Sequence, residues 1–144
     1  MGTINIVKTI KEIHPECMVI VKIGTFYNVY GKDAYILSYL LKYKIIEKDN
    51  IPSCAFPISS ISKVENILEK NKINYIAVDR RNNYYEEQKI INKQENNYDK
   101  ILEKSKIAVG TTLRIQRIYQ NLIKSRDTVQ INEKLEKIEE ILRK

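Results

Sequence analysis

The stretch Ile23-Gly24-Thr25-Phe26-Tyr27-Asn28-Val29-Tyr30-Gly31-Lys32-Asp33-Ala34 lies between two segments of different periodicity. Before it, Cys17 to Ile23 reads Cys-Met-Val-Ile-Val-Lys-Ile, a short, β-branched and nearly continuous apolar run, as in a strand covered on both faces. Gly24 ends that strand. After it, Ala34, Leu37, Leu40 and Leu41 recur at helical spacing, which predicts a helix starting at Lys32 or Asp33 and reaching Leu41. Between the glycines, Phe26, Tyr27, Val29 and Tyr30 form an aromatic segment that closes at Gly31.

Downstream, Lys44 to Ile46 reads as a short strand, Asp49-Asn50-Ile51-Pro52 carries turn chemistry, and Ser53 to Phe56 reads as a strand closed by Pro57. Ser59 or Ser60 caps a helix whose apolar face is Ile61, Val64, Ile67 and Leu68 and which runs out near Asn71. Ile73 to Val78 follows as a further apolar, β-rich segment. The order is strand, helix, strand pair, helix, strand. This predicts an α/β fold in which a mixed β-sheet is flanked by helices.

Arg80 to Gln94 is polar, with Asn82-Asn83 as a turn and Tyr84-Tyr85 as either an edge strand or the start of an extended connection. The domain's edge is placed here, giving residues 1–94 as the α/β domain and 95–144 as a C-terminal helical extension. From about Asn97 the chain reads as helical, with an interruption near Gly110-Thr111-Thr112, so two helices or one bent one fit. Ile131, Leu135, Ile138 and Leu142 keep a four-three-four spacing, the narrow stripe of a helix that must pack on something. An antiparallel hairpin with the preceding helix, or a dimer, would cover it.

With 144 residues, 43% hydrophobic and 30% charged, the chain has one domain's length and enough apolar material for a core. No apolar run approaches the roughly 20 residues needed to span a bilayer, so a soluble, unsecreted, cytoplasmic protein without membrane partners is expected. Cys17 and Cys54 lack the close spacing of a zinc or redox motif and read as buried thiols, although spacing alone leaves a disulfide open. The lone His14 has no Cys or second His to share a metal. No metal or cofactor is therefore expected. A net charge of +7 suits an anionic partner such as nucleic acid, while the overuse of Lys, Ile, Asn and Tyr also matches AT-rich coding.

Ile23-Gly24-Thr25-Phe26-Tyr27-Asn28, followed by Gly31-Lys32-Asp33-Ala34, resembles the Gly-Asp-Phe-Tyr-Glu signature and following Asp-Ala helix of the N-terminal mismatch-recognition domain of MutS proteins. The resemblance continues through Ile51-Pro52, Phe56-Pro57, Val64-Glu65-Asn66-Ile67-Leu68 and Tyr75-Ile76-Ala77-Val78, spanning about His14 to Arg80. It implies that Phe26 is a wedge entering the minor groove and stacking on a mispaired or unpaired base, with Gly24 bringing the backbone close to the groove. Such a wedge should be at least partly exposed, at a strand-to-helix junction. Unstacking a base step costs a few kcal/mol, least where pairing is already defective, so deformability supplies selectivity. Asn28 stands where the family's mismatch readers carry Glu, and Thr25 where they commonly carry Asp; Asn donates and accepts hydrogen bonds but lacks the carboxylate's charge. Tyr27 and Tyr30 read as core residues. The sequence contains no Gly-x-x-x-x-Gly-Lys-Ser/Thr phosphate loop, so the resemblance is to a stand-alone first domain without the ATPase.

Between Lys104 and Arg126 there are basic residues and no acidic one, and Arg114, Arg117 and Lys124 fall near one another on a helical face. That stripe can grip phosphates with salt-dependent, sequence-independent affinity. Arg80 and Arg81, at the end of the last strand, are weaker phosphate contacts. Asp79 with Glu87-Gln88-Lys89 loosely resembles a nuclease arrangement, but Glu86 to Lys89 does not read as a strand beside Asp79, and no enzyme is expected. The reading is a non-catalytic module that binds mispaired or distorted duplex DNA through Phe26, Asn28 and Gly24, with Arg80, Arg81, Arg114, Arg117 and Lys124 on the backbone. The alternative is a protein-protein interaction module that keeps the mismatch-domain fold as scaffold, its terminal helices docking on a partner or dimerising. Asn28 favours the alternative; the charge and the basic stripe favour DNA.

Overall fold

The computed structural model describes residues 2–81 and 85–144. Two compact units divide the chain, Met1–Val109 and Gly110–Lys144. The first holds a six-stranded sheet and the helices around it. In chain order these are helix α1 (Thr3–Ile13), strands β1 (Met18–Ile23) and β2 (Phe26–Tyr30), helix α2 (Lys32–Leu41), strands β3 (Ile46–Lys48) and β4 (Ile51–Pro57), a 3-10 turn (Ile58–Ser60), helix α3 (Ile61–Lys70), and strands β5 (Tyr75–Arg80) and β6 (Tyr85–Ile91). Helix α4 (Tyr98–Lys124) starts in the first unit, and its second half with helix α5 (Thr128–Arg143) makes up the second.

The sheet order is β3-β4-β2-β1-β5-β6. Only the β1–β5 pair is parallel and the rest are antiparallel, so the expected mixed sheet flanked by helices, followed by a helical tail, is present. Because side chains alternate along a strand, the registers assign each residue to a face. Cys17, Val19 and Val21 of the β1 segment and Ile76 and Val78 of β5 pack with Ile6, Val7 and Ile10 of α1. The opposite face carries Met18, Ile20, Tyr75 and Ala77, all buried, together with Cys54 and Phe56 of β4. Helices α2 and α3 cover this second face: Cys54 Sγ donates to the Ala34 carbonyl at 3.5 Å, and the Tyr75 hydroxyl donates to Glu65 and Glu69 of α3.

The two helical covers meet at Asp33, which has no solvent exposure. Its Oδ1 accepts from Lys11 Nζ of α1 at 2.7 Å and from the Tyr98 hydroxyl of α4 at 2.6 Å, and its Oδ2 accepts from the Val19 N–H of β1 at 3.0 Å. Lys11 Nζ also donates to the Cys17 carbonyl at 2.6 Å. Burial raises the Asp33 carboxyl above its usual range, while Lys11, Tyr98 and the Val19 N–H oppose that rise.

Several elements depart from the sequence expectation. Thr3–Ile13 is a helix whose buried side is Ile6, Val7 and Ile10, and the aromatic segment Phe26–Tyr30, assigned to no element from the sequence, is a strand. The strand expected at Lys44–Ile46 lies at Ile46–Lys48, because Asp49 (φ 51°) and Asn50 (φ 64°) form a two-residue turn that pairs Lys48 with Ile51. Ser60 sits at the N-cap of α3, but its side chain makes no capping bond. Helix α4 runs unbroken through Gly110-Thr111-Thr112, a glycine costing a helix interior only about 1 kcal/mol. Glu86 to Lys89 does lie on a strand beside Asp79, contrary to expectation; β6 is mostly exposed and polar, so backbone pairing with β5 rather than an apolar pattern makes it a strand. Tyr85 opens that edge strand, and Tyr84 and the Asn82-Asn83 turn lie outside the described residues. Cys17 and Cys54 are both buried free thiols.

Burial pushes the Cys54 thiol up from 9.0 to about 12, and raises Cys17, Tyr75 and Tyr98 as well. In the unfolded chain these groups lose their protons first, so above about pH 9 the folded state binds more protons and stability falls as pH rises. This stability is fully present below the unfolded values and is lost as pH rises from them through the raised folded values. Urea unfolding should show at least about 2 kcal/mol less stability near pH 10.5 than near pH 7.5, the share expected from Cys54 alone. A flat or rising profile would contradict the burial of these groups.

Candidate nucleic-acid interface

The β1–β2 hairpin turns through Gly24 and Thr25, with Ile23 paired to Phe26 across it. Gly24 has φ 62° at the first loop position, where a type II′ turn requires positive φ and glycine adopts it without strain. The Thr25 carbonyl accepts from the Ile58 N–H at 3.1 Å, which ties the hairpin tip to the end of β4. Phe26 is thus the first residue of a strand after a tight turn, not a residue at a strand-to-helix junction as expected; the strand-to-helix passage comes later, at Gly31.

The registers place Ile23, Phe26 and Pro57 in one cross-strand row and Val21, Asn28 and Ala55 in the next, on the sheet face that α1 covers elsewhere. Alternation puts Arg80 on the same face, two residues beyond Val78, the partner of Val21. Helix α1 covers Val21 and Val78, and its cover ends there: Ile23, Ala55, Pro57 and Ile58 are exposed, Asn28 is half-buried and Phe26 is 48% exposed. Phe26, Asn28 and Arg80 therefore share an uncovered end of the sheet, beside the Gly24 turn. Sequence reading missed Ile23 and Pro57 beside Phe26 and Ala55 in the next row, because only strand register brings them there.

Of the neighbouring aromatic residues expected in the core, Tyr27 is buried and Tyr30 only half-buried. Tyr27 faces the other way, stacks on Phe56 at 5.5 Å and donates its hydroxyl to Gln88 Oε1 at 3.0 Å. Tyr30 packs against the α1 cluster. Arg81 pairs with Asp79 and Glu86, each at 3.2 Å, on the face opposite Phe26. Arg80 donates to the Arg81 carbonyl.

The nuclease-like arrangement does not assemble. Asp79 pairs in register with Glu86, Glu87 projects to the other face with Val78, and Lys89 donates to Glu65 Oε2 at 2.6 Å. Among the described residues no cluster of His, Cys, Asp and Glu could hold a metal.

In the second unit, Arg114, Arg117 and Lys124 are exposed along α4, where Arg117 and Lys124 are seven residues apart and so nearly eclipsed. Leu113 is buried and Leu122 half-buried, whereas Ile115, Ile118, Tyr119 and Ile123 are exposed. Asp127 caps α5 by accepting from the Gln130 N–H at 3.0 Å, and no residue of α5 is buried. Among the described residues no helix is long and apolar enough to cross a membrane.

Compared with known proteins, residues 1–94 match the family model for MutS domain I. No curated protein matches the chain. MutS domain I is the DNA-binding, mismatch-recognition domain of MutS proteins, and it is itself non-catalytic. The family match covers the whole sheet, the hairpin with Phe26 and helices α1, α2 and α3, and the chain belongs to the MutS domain I family.

Proposed function

We propose that this protein binds mispaired or distorted duplex DNA by inserting Phe26 at a weakened base step, without catalysing a reaction. Residues 1–94 act as the recognition domain and 95–144 as a helical extension. The observation that carries this reading is the position of Phe26, a large apolar ring 48% exposed on a sheet end that no helix covers, one residue beyond a tight turn. Ile23 and Pro57, the cross-strand neighbours of Phe26, flank it with exposed apolar surface that suits a base and sugar more than water. Gly24 keeps the approach free of a side chain, Asn28 supplies a donor and an acceptor beside the ring, and Arg80 lies at the end of β5 for the phosphates; Arg81, turned to the other face and paired with Asp79 and Glu86, drops out of that contact. Arg114, Arg117 and Lys124 add sequence-independent contacts.

The exposed apolar residues of the tail favour a second reading for that part of the chain. Ile115, Ile118, Tyr119 and Ile123 on α4 and Ile138, Ile141 and Leu142 on α5 form faces suited to a protein partner or a second copy. Pairing two weak DNA modules would raise affinity by avidity.

Three measurements test these readings. Phe26→Ala should lower the preference for a mismatched or bulged duplex over a matched one by about 1–3 kcal/mol, the worth of one base-aromatic stack, while leaving most matched-duplex affinity intact. An unchanged preference removes Phe26 as the wedge. Neutralising Arg114, Arg117 and Lys124 together should flatten the dependence of log affinity on log salt by about 2 to 3, and an unchanged slope removes the tail from the interface. In sedimentation, the pairing reading expects a dimer for the full chain and a monomer for a chain ending at Asp127; a monomer in both cases rejects it.

A further inference from the structure

We propose that the groove between α1 and the β2–β4 side of the sheet binds a nucleotide of an unpaired strand, continuing the Phe26 face away from the duplex. The inference deepens the DNA-binding reading and rests on it. Along β4, Ile51, Ser53, Ala55 and Pro57 alternate with buried Cys54 and Phe56, and none of these four is buried, so α1 leaves the outer side of β4 open. The register lines them up with β2: Pro57 beside Phe26, Ala55 beside Asn28, Ser53 beside Tyr30. The resulting track runs four residues from Phe26 to Tyr30, about 13 Å at strand rise.

At its far end lies a groove of about 420 Å³, lined among others by Ile4, Lys8, Lys11, Tyr30, Lys32 and Ile51, with no Asp or Glu in its walls. The walls are mostly apolar and the three lysines are their only charges. Lys11 is committed to Asp33, whereas Lys8 and Lys32 are exposed and make no ion pair among the described residues. Flat apolar walls with cations at the rim match the chemistry of a base taken out of a stack with its phosphates attached. An acidic peptide would share the charge preference, but continuity with Phe26 and Asn28 along one strand favours nucleic acid. A strand displaced at the Phe26 step would be led along β2 towards the lysines.

Binding of an oligothymidylate of about eight residues to the full chain, followed by fluorescence anisotropy, tests the groove without requiring a duplex. Ile51→Trp fills the groove without changing charge, and Lys8→Glu with Lys32→Glu reverses its rim at two exposed positions that the fold does not need. Far-ultraviolet circular dichroism confirms that each variant is folded. Each should weaken oligothymidylate binding by about tenfold or more relative to the unaltered chain. Equal binding by the unaltered chain and the folded variants, or no binding by the unaltered chain, overturns the groove site. A bulged duplex run in parallel with Phe26→Ala reads the wedge separately: loss of the oligothymidylate effect alone defeats the groove, and loss of the Phe26 effect alone defeats the wedge.

Discussion

Asp33 is the point at which the first unit is tied together. A carboxylate without solvent exposure must have its lone pairs filled, and here Lys11 from α1, Tyr98 from α4 and the Val19 N–H from β1 fill them. Removing one partner of such a buried pair typically costs about 3–5 kcal/mol, because the other charge remains buried without compensation. The constraint is geometric as well as energetic. It fixes the first turn of α2 against β1, holds α1 on one face of the sheet while α2 covers the other, and anchors the start of α4.

The site is a consequence of how much sheet those helices cover. Helix α1 is 11 residues long and its buried residues reach Val19, Val21, Ile76 and Val78, so the next row on that face, with Ile23 and Phe26, has no cover. On the reverse face, α2 and α3 bury Cys54, Phe56 and Tyr75. Alternation along β2 therefore gives two kinds of aromatic residue within one short strand: Tyr27 faces the covered side and stacks on Phe56, while Phe26 faces the open end. The turn at Gly24 and the bond from Ile58 to the Thr25 carbonyl hold the tip in place, so exposure of the ring comes from a rigid scaffold.

The tail follows different physics. Its helices carry their apolar residues in narrow stripes, α5 buries none of them, and α4 buries Leu113 while leaving Ile115 and Ile118 exposed. An amphipathic helix gains most of its stability from packing its apolar face, so the exposed stripes of this segment leave that gain largely unrealised within the chain described. Within the first unit, the same principle explains why α1, with Ile6, Val7 and Ile10 buried, contributes to the core.

By itself the sequence determined the central strands, the helices at Lys32–Leu41 and Ile61–Lys70, and the family, because β-branched runs, helical spacing and the Gly-x-Phe-Tyr segment are local signals. It also made the tail helical and the cysteines buried, since both follow from short-range patterns. Helix α1, strand β2 and strand β6 were not read as elements: α1 has only a short buried face of Ile6, Val7 and Ile10, β2 is five residues long between two glycines, and β6 is polar at four of its seven residues and is a strand through its pairing with β5. Tertiary structure alone decided that Phe26, Asn28 and Arg80 share one face, that Arg81 turns to the other, and that Ile23 and Pro57 lie beside Phe26 with Ala55 in the next row. Those relations depend on strand register and on where a helix stops covering a sheet, and both are set by contacts between segments far apart in the chain.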